Sequence, residues 1–230
     1  MKKIFLLLVL SSVTLFSQQK ISKKLGDFNE VKVFSGLMVK LIKISDDSTQ
    51  NYVEIKGSNS EDVVVNNVNG LLKISVLFPK AFDSNNTFVK LYYTKNLDLI
   101  DANEGSIITS DKKITQDFIE IRAQEGAQIE LNLNVNTLKV KTISGGNIAL
   151  SGKVTNQTVI ANTGGIYEGF NLQSKQAVVS SSTGAEVEVN VSDILNAKAK
   201  LRGFIYYLKE PKKIIKKSII GGIIKSNSRY

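Results

Sequence analysis

The 230-residue chain contains no cysteine, no histidine and no tryptophan, and it has only two prolines, Pro79 and Pro211. Without cysteine it has no disulfide and no thiol nucleophile, and it cannot be anchored through an acylated cysteine. Without histidine it has no Ser–His–Asp triad and no imidazole base, and the usual nitrogen and sulfur ligands of zinc are missing. We therefore predict a protein that is not an enzyme and that has no cofactor.

The first 19 residues have the pattern of a secretory signal peptide. Lys2 and Lys3 precede an apolar run that extends to Phe16, and the small residue Ser17 follows it. This run is shorter than the roughly 20 residues of a membrane-spanning helix, although an uncleaved anchor is the alternative. No later segment is apolar enough to span a bilayer as a helix. We therefore expect residues 20–230 to be exported to the periplasm, the outer-membrane surface or the medium.

The net charge of +9 is concentrated at the C-terminal end of the chain. Residues 1–195 contain 20 basic and 20 acidic residues, whereas residues 196–230 contain 10 basic residues and one acidic residue. The densest basic cluster consists of Lys209, Lys212, Lys213, Lys216 and Lys217. It could contact lipopolysaccharide phosphates or another polyanion. The interpretation we favour is a charged terminal strand that prevents edge pairing. A nucleic-acid partner is not expected for an exported chain.

The opening portion, residues 20–95, is predicted to be an antiparallel sheet. Aliphatic and polar residues alternate in runs such as VKVF and YVEIKG, which is the strand period. The pair Asn69–Gly70 stands between two such runs and predicts a hairpin, because both residues tolerate positive φ. The run FVKLYY predicts a further strand at 88–93, and the segment 78–86 is predicted to be a loop.

The second half of the chain, residues 96–230, repeats a glycine at steps of 21, 19, 19, 20, 19 and 19 residues. The repeated glycines are Gly105, Gly126, Gly145, Gly164, Gly184, Gly203 and Gly222. A near-constant period of this size indicates stacked repeats. Stacked turns place the same demand on the backbone at the same corner, and glycine meets it through positive φ or close approach. The pattern therefore predicts an all-β fold, a parallel β-solenoid with about 20 residues per turn.

Each repeated glycine is followed two or three positions later by a β-branched aliphatic residue. These residues are Ile107, Ile129, Ile148, Ile166, Val187, Ile205 and Ile224. We expect them to point inward and to form a ladder, each contributing about 1.5–3 kcal/mol by burial. The alternative architecture is an antiparallel sandwich, which does not require the same glycine in every unit. The solenoid predicts that Ile129 and Ile148 are vertical neighbours.

Three kinds of sequence unit carry a resemblance to a known family. They are the opening FNEVKVFSGLMVKLIK, the repeat units EGAQIEL, SGGNIAL and TGAEVEV, and the close RGFIYYLKEPKKIIKKSIIGGIIK. In these units the chain resembles the bacterial GIN-domain family of Bacteroidetes, described as putative auto-transporter adhesin head domains. The resemblance covers nearly the whole mature chain. It implies one domain with a right-handed parallel β-helix body, export and a surface or adhesion role, and it carries no catalytic motif.

The chain departs from the family pattern where Glu104 and Glu125 directly precede a repeat glycine. In a solenoid these two side chains would stack about 5 Å apart. Paired carboxylates at that distance could bind Ca²⁺ or act as a glycosidase pair. We favour two solvated charges at the rim, because the other turns hold no carboxylate in this column. Their residues there are Ser144, Thr163, Thr183 and Arg202.

Two further groups of side chains are candidates for ligand contact. Tyr167, Tyr206 and Tyr207 could stack on sugars, although packing at the rim of the last turns is the simpler interpretation. Glu186 and Glu188 alternate with valines and are predicted to lie on the solvent face of a strand. No site for a metal or a cofactor is predicted.

The function predicted from the sequence is that of an exported, non-catalytic binding or scaffolding module of adhesin type. Its expected partners are a cell-surface glycan, lipopolysaccharide or an envelope protein. Two alternatives stay open. One is a polysaccharide-acting enzyme on a β-helix scaffold. The other is a structural protein that assembles end to end as a homo-oligomer through the ends of its solenoid.

Overall fold

The computed structural model describes residues 20–45, 50–57, 60–77 and 87–227, so the predicted signal peptide and the predicted loop at 78–86 lie outside the described residues. The first nine strands are β1 (Lys20–Lys24), β2 (Glu30–Val33), β3 (Met38–Lys43), β4 (Tyr52–Lys56), β5 (Val63–Val68), β6 (Leu71–Val76), β7 (Phe88–Tyr93), β8 (Leu99–Ala102) and β9 (Ile107–Ser110). The remaining strands are β10 (Ile114–Gln124), β11 (Gln128–Ile143), β12 (Asn147–Ala161), β13 (Ile166–Ser182), β14 (Glu186–Lys200), β15 (Phe204–Tyr207), β16 (Lys213–Ile219) and β17 (Ile223–Ser226). A 3-10 helix, Ser60–Asp62, precedes β5. Within these described ranges, no helix has the length and hydropathy needed to cross a membrane.

The long strands bend around the core, and each forms most of one rung of a parallel stack. Strand β11 pairs with β12 along nearly its whole length, and Ile129 is the register partner of Ile148. Strands β12, β13 and β14 continue the stack in the same parallel sense. Side chains one period apart are therefore vertical neighbours, separated by about 4.8 Å. This register confirms the predicted β-solenoid.

A tight turn recurs at one corner of the stack, and two successive residues in it have positive φ. In one rung these are Ser144, at 50°, and Gly145, at 73°. The amide of the second residue donates to the carbonyl of the first residue of the next rung, as from Gly105 to Glu125 at 2.9 Å and from Gly145 to Thr163 at 3.2 Å. Glycine recurs here because a residue with a Cβ is strained at this φ. We call this series of turns the turn column.

The repeat glycines of the last two turns, Gly203 and Gly222, do not belong to that positive-φ pair. They lie one position later, where the backbone of the neighbouring rung comes close. A Cβ added to Gly222 would lie 2.3 Å from the carbonyl oxygen of Ala199. The prediction that all seven glycines occupy one position is therefore wrong. Five of the glycines adopt positive φ, and two allow the neighbouring backbone to come close. The sequence period varies between 19 and 21 residues, so it does not show which of two adjacent positions in the turn a glycine occupies.

The inward ladder differs from the predicted one at two rungs. Its members are Val39, Ile108, Ile129, Ile148, Tyr167, Val187, Ile205 and Ile224. Ile107 and Ile166 each lie one position earlier and face outward, and 39% of Ile166 is exposed. The prediction for these two residues is wrong because side chains alternate along a strand, so a shift by one position reverses the face.

The opening portion combines antiparallel and parallel pairing. Antiparallel pairing is confirmed between β1 and β4, between β4 and β7, and in the β5–β6 hairpin, where Asn69 and Gly70 have φ of 52° and 84°. Strands β2 and β3 instead form a rung that lies between β6–β7 and β8–β9 and runs parallel to both. Strands β2 and β3 are thus part of the parallel stack, while β1, β4 and β5 cover its N-terminal end. The buried apolar side chains form one cluster that extends from Leu25 to Tyr207.

Candidate functional site

Glu104 and Glu125 stand one above the other in the turn column, as their spacing predicts. The Gly105 amide donates to the Glu125 carbonyl at 2.9 Å, which fixes the two turns against each other. The Glu104 carboxylate, however, accepts hydrogen bonds from the rung below, from the Ser35 amide at 3.1 Å and the Ser35 hydroxyl at 3.4 Å. The hydrogen bonds to Ser35 therefore give the Glu104 carboxylate a structural role at the turn. Binding of a ligand by Glu104 and Glu125 stays a prediction.

Arg202 does not belong to the same column as these two glutamates. It takes the second position of its turn, with φ of 59°, where most rungs have glycine. Leu201 takes the position of Glu104 and Glu125. The predicted placement of Arg202 is wrong because this turn is displaced by one residue relative to its glycine, Gly203.

The five clustered lysines are distributed over several surfaces. Lys209 lines a groove described below. Lys212 forms an ion pair with Asp193 at 2.8 Å, and both side chains lie at the surface. Lys213 and Lys217 point outward from β16, where they follow Ile194 and Lys198 in register. A single contiguous polyanion site made of these lysines is therefore not formed.

Lys216 has a different position from the other four lysines. It is the register partner of Ala197, an inward-facing residue of the rung below. Its ammonium group lies 4.6 Å from the centre of the Tyr207 ring and donates to the Tyr207 hydroxyl at 2.8 Å. An inward-pointing charge at the last rung is a known way to block edge pairing. This contact supports the terminal-strand interpretation of the basic cluster.

The three candidate tyrosines have three different environments. Tyr167 is fully buried in the ladder, so it can neither stack on a sugar nor pack at the rim. Tyr207 is buried beneath Lys216. Tyr206 is half-buried, its ring stacks on Phe204 with a centroid distance of 6.4 Å, and Lys225 lies 5.4 Å above it. Only Tyr206 is therefore accessible for ligand stacking.

An open groove of about 590 Å³ runs across five rungs at a corner away from the turn column. We call it the polar groove, and its polar lining is Asn134, Asn136, Lys153, Thr155, Gln173, Ser174, Lys175, Asn190, Ser192, Lys209 and Glu210. Asn134, Lys153 and Gln173 are register partners in successive rungs. Register shifts between β13 and β14 interrupt the regular pairing beside it. Such bulges bend a strand and are frequent next to binding sites.

A chain of buried hydrogen bonds connects the floor of the polar groove with the core. The Tyr167 hydroxyl donates to Gln157 Oε1 at 2.9 Å, and Gln157 Nε2 donates to the Ser174 hydroxyl at 2.9 Å. That hydroxyl donates to the Asn190 carbonyl at 2.9 Å. Each side-chain polar atom in this series of hydrogen bonds therefore has a partner, and a buried network of this kind makes its surroundings rigid. These internal hydrogen bonds hold the floor of the polar groove in place.

The side of the solenoid that follows the turn column carries several carboxylates, and we call it the glutamate face. Its outward residues from β11 to β17 are Gln128, Glu130, Asn147, Ala149, Ile166, Glu168, Glu186, Glu188, Phe204, Tyr206, Ile223 and Lys225. Glu168 and Glu188 are register partners, and both line a cavity of about 320 Å³ with Phe170 and Leu208. Burial raises the pKa of the Glu188 carboxyl, and the Glu168 and Glu186 carboxylates raise it further.

The sequence interpretation did not identify the pairing of Glu168 with Glu188. The signal for it is present, because the two residues are 20 positions apart, which is one period of the repeat. Asn147 donates to the Glu168 carboxylate at 2.9 Å and so holds one partner in place. Glu188 faces outward from β14 and alternates with buried valines, as predicted, and it is half-buried. Glu186 is half-buried as well.

The side of the solenoid that precedes the turn column has the opposite charge, and we call it the lysine face. It consists of the outward residues of five rungs: Thr137, Lys139, Lys141, Asn156, Thr158, Ile160, Gln176, Val178, Ser180, Ile194, Asn196, Lys198, Lys213, Ile215 and Lys217. These 15 positions include five lysines and no carboxylate. The turn column separates this face from the glutamate face, so between β11 and β14 the solenoid presents two flanks of opposite charge.

A buried carboxylate lies near the other end of the stack. Asp101 on β8 accepts from the Asn103 amide nitrogen at 3.2 Å and lies 3.5 Å from the Lys32 ammonium group. Burial raises the pKa of Asp101, while the nearby charges of Lys32 and Arg122 act in the opposite direction. Its partners satisfy it within the stack, which makes a structural role the simplest account.

A family model described as "Putative auto-transporter adhesin, head GIN domain" matches residues 27–211. The chain belongs to this GIN-domain family. The match begins just before β2 and ends before β16, so it includes the inserted early rung and every turn of the turn column except the last, at Ile220 and Gly221. The resemblance recognised in the repeat units is thereby confirmed.

Solved structures share the fold of this GIN-domain chain at low sequence identity. A putative adhesin from Bacteroides fragilis has a TM-score of 0.80 at 16% identity, and the alignment covers 92% of this chain and 97% of that one. A putative adhesin from Parabacteroides distasonis has a TM-score of 0.70 at 18% identity, covering 91% and 97%. A putative lipid binding protein from the same species has a TM-score of 0.68 at 17% identity, covering 92% and 97%. A comparison with curated proteins gave no significant match.

In the described ranges, no group of three or more Asp, Glu, His or Cys side chains is arranged to hold a metal ion. The family description agrees with a module of adhesin type.

Proposed function

We propose that this chain is an exported, non-catalytic binding module of the cell surface or periplasm, and that its ligand is a cell-surface glycan held in the polar groove. The family description as an adhesin head domain supports a binding role outside the cytoplasm. The partners expected from the sequence also include lipopolysaccharide and envelope proteins, and one structure of the same fold is described as a lipid binding protein. The groove favours the glycan among these partners.

The observation that carries this proposal is the line of amide and ammonium groups along the polar groove. Asn134, Lys153 and Gln173 follow one another in register, about 4.8 Å apart from rung to rung. Equal spacing of donors matches a polymer with a regular repeat of hydroxyl or carboxylate groups. Because the buried network below is already ordered, the floor of the groove loses little entropy when such a chain binds.

A glycan and matrix-protein array on the purified protein tests the proposal. We expect binding to extended glycans, with acidic chains bound best because Lys153, Lys175 and Lys209 line the groove. The double variant Lys153→Gln/Lys175→Gln should lose about tenfold in affinity, since charge-assisted hydrogen bonds are stronger than neutral ones. The matched control Lys24→Gln/Lys56→Gln removes the same charge at the N-terminal end and should bind normally. Equal binding by both double variants, or no glycan bound at all, would refute a glycan site in the groove.

A second candidate function is hydrolysis of a polysaccharide on the glutamate face. The observation that favours it is the register pairing of Glu168 with Glu188 beside a cavity. Adjacent rungs place two carboxyl groups near the separation of about 5–5.5 Å that retaining glycosidases use. Activity screening on glycans would detect it, and Glu188→Gln should then abolish turnover while Glu104→Gln and Glu125→Gln leave it unchanged.

A further inference from the structure

The lysine face carries exposed aliphatic side chains among its lysines. Its exposed aliphatic side chains are Ile160, Val178, Ile194 and Ile215, with 47%, 54%, 38% and 47% of each residue exposed. Lys139 and Lys141 lie in the rung at one end, and Lys198, Lys213 and Lys217 lie in the two rungs at the other. Isolated exposed aliphatic side chains are ordinary on a protein surface. These four lie in three neighbouring columns of the same face, so together they form a patch.

The charge of this face is not neutralised by the protein. None of its five lysines forms an ion pair with a carboxylate in the described part of the chain. At the border with the preceding rung, Glu120 is already paired with Arg122 at 2.7 Å. Asp193, at the edge, is paired with Lys212. The face therefore keeps an excess positive charge that is available to an external anion.

The shape of the face is set by regular parallel pairing. Its columns continue from β11 to β16 without a change of face, as in the series Lys139, Thr158, Val178, Asn196 and Ile215. The polar groove and the cavity beside Glu168 and Glu188 are lined by residues outside these columns, and so is a further cavity on the glutamate face that includes Glu130. A flat surface with exposed aliphatics and long lysine side chains suits a planar partner, because lysine extends its ammonium group outward while the apolar groups make contact.

We propose that the lysine face docks the protein on an anionic lipid surface. The lysines contact lipid phosphates, and the four aliphatic side chains enter the boundary between headgroups and acyl chains. A second copy of the chain is a poorer fit, because the oppositely charged glutamate face of another copy is indented by cavities rather than flat. This docking surface is separate from the polar groove, so it does not depend on the glycan function proposed above.

Vesicle sedimentation with the purified protein tests this docking surface. We expect binding to vesicles of mixed phosphatidylcholine and phosphatidylglycerol, little binding to phosphatidylcholine alone, and weaker binding as salt is raised. The variant Lys139→Gln/Lys198→Gln/Lys217→Gln should lose about a hundredfold in partitioning, since each lysine near an anionic surface contributes about fivefold. The matched control Lys24→Gln/Lys112→Gln/Lys113→Gln loses the same charge elsewhere and should keep nearly all of the binding.

A second variant separates membrane docking from general attraction to anions. Val178→Ser/Ile215→Ser keeps every charge, so it should weaken vesicle binding while leaving binding to soluble polyphosphate unchanged. Circular dichroism and thermal melting would confirm that each variant is folded. Docking on lipid is overturned if the lysine variant and its control bind vesicles equally, or if vesicles without anionic lipid bind as well. It is also overturned if the lysine variant changes only the oligomeric state seen by light scattering.

Discussion

Lys216 lies directly above Ala197 in an inward-facing column, and its ammonium group donates to the Tyr207 hydroxyl at 2.8 Å. An apolar residue at this position would extend the core to the open end of the stack. The Lys216 ammonium group terminates the core at this rung, because a further rung stacked on it would bury the charge. The end of the solenoid is thus protected by one inward lysine in addition to the outward ones on the same strand.

Replacing this lysine by an apolar residue should cause the protein to self-associate through the C-terminal end of its solenoid. We expect Lys216→Ile to form dimers or larger species through β16 and β17, because the exposed edge is then both unpaired and apolar. Lys213→Ile adds the same side chain to an outward position of the same strand and serves as the control. Size-exclusion chromatography with light scattering measures the mass of each, and an unchanged mass for Lys216→Ile would show that this lysine does not protect the end.

The ladder predicts different costs for two neighbouring isoleucines. Ile148→Ala should lower the free energy of unfolding by about 2–5 kcal/mol, because it leaves a cavity between Ile129 and Tyr167. Ile166→Ala, one rung on and facing outward, should cost about 0.5 kcal/mol. Urea unfolding of both variants checks this, and similar costs for the two would contradict the assigned faces.

The turns predict that two adjacent glycines respond differently to the same substitution. A Cβ at Gly164 meets no atom within 4 Å, so Gly164→Ala should cost only the strain of positive φ, about 1–2 kcal/mol. A Cβ at Gly165 would lie 2.5 Å from the Thr142 carbonyl oxygen, so Gly165→Ala must displace a neighbouring rung. We expect the larger loss for Gly165→Ala in thermal and urea unfolding. A larger loss for Gly164→Ala would mean that strain, not space, limits this corner.

Asp101 predicts an unusual dependence of stability on pH. Burial raises its pKa in the folded protein, so the folded state binds more protons than the unfolded state at pH values just above the ordinary value of 3.8. The contribution of Asp101 to stability therefore falls as pH rises through that window. Asp101→Asn should remove this fall. The measurement is the difference in the free energy of unfolding between wild type and variant, obtained from urea unfolding between pH 4 and 7.

Glu54 provides a control of opposite sign for that experiment. Its hydrogen bond and ion pair with Lys20, at 2.6 Å, lower the pKa of the Glu54 carboxyl. Its contribution is present above the ordinary value of 4.5 and is lost as pH falls, so Glu54→Gln should be most harmful near neutral pH. If Asp101→Asn showed the same trend as Glu54→Gln, burial would not dominate the titration of Asp101.

Much of the architecture is encoded in local patterns. The turn at Asn69–Gly70 and the pairing of Ile129 with Ile148 follow from residue type and from a period that can be counted. The failures arise where one position matters. Counting two or three residues from a glycine does not distinguish Ile166 from Tyr167, although only the second is buried. Gly203 matches the period but has a different structural cause from Gly145.

The order of the rungs and the chemistry of the surfaces were not predictable in the same way. Nothing in the alternation of β2 and β3 indicates that they insert between strands that come much later in the chain. The pairing of Glu168 with Glu188 and the composition of the lysine face depend on the register of every rung between β11 and β16. Small irregularities accumulate there, as in the shift between Gly169 and Gln173. Surface clusters therefore require the folded register.

A pair of cysteines on the lysine face measures that register most directly, since the chain has no cysteine of its own. Thr158 and Val178 are register partners on adjacent rungs, about 4.8 Å apart, which is within the Cα separation of a disulfide. We predict that Thr158→Cys/Val178→Cys forms an intramolecular disulfide under mild oxidation. The control Thr158→Cys/Asn196→Cys, two rungs apart, should not form one. A disulfide in the control pair, or none in the adjacent pair, would contradict the stacked register and the two charged faces that follow from it.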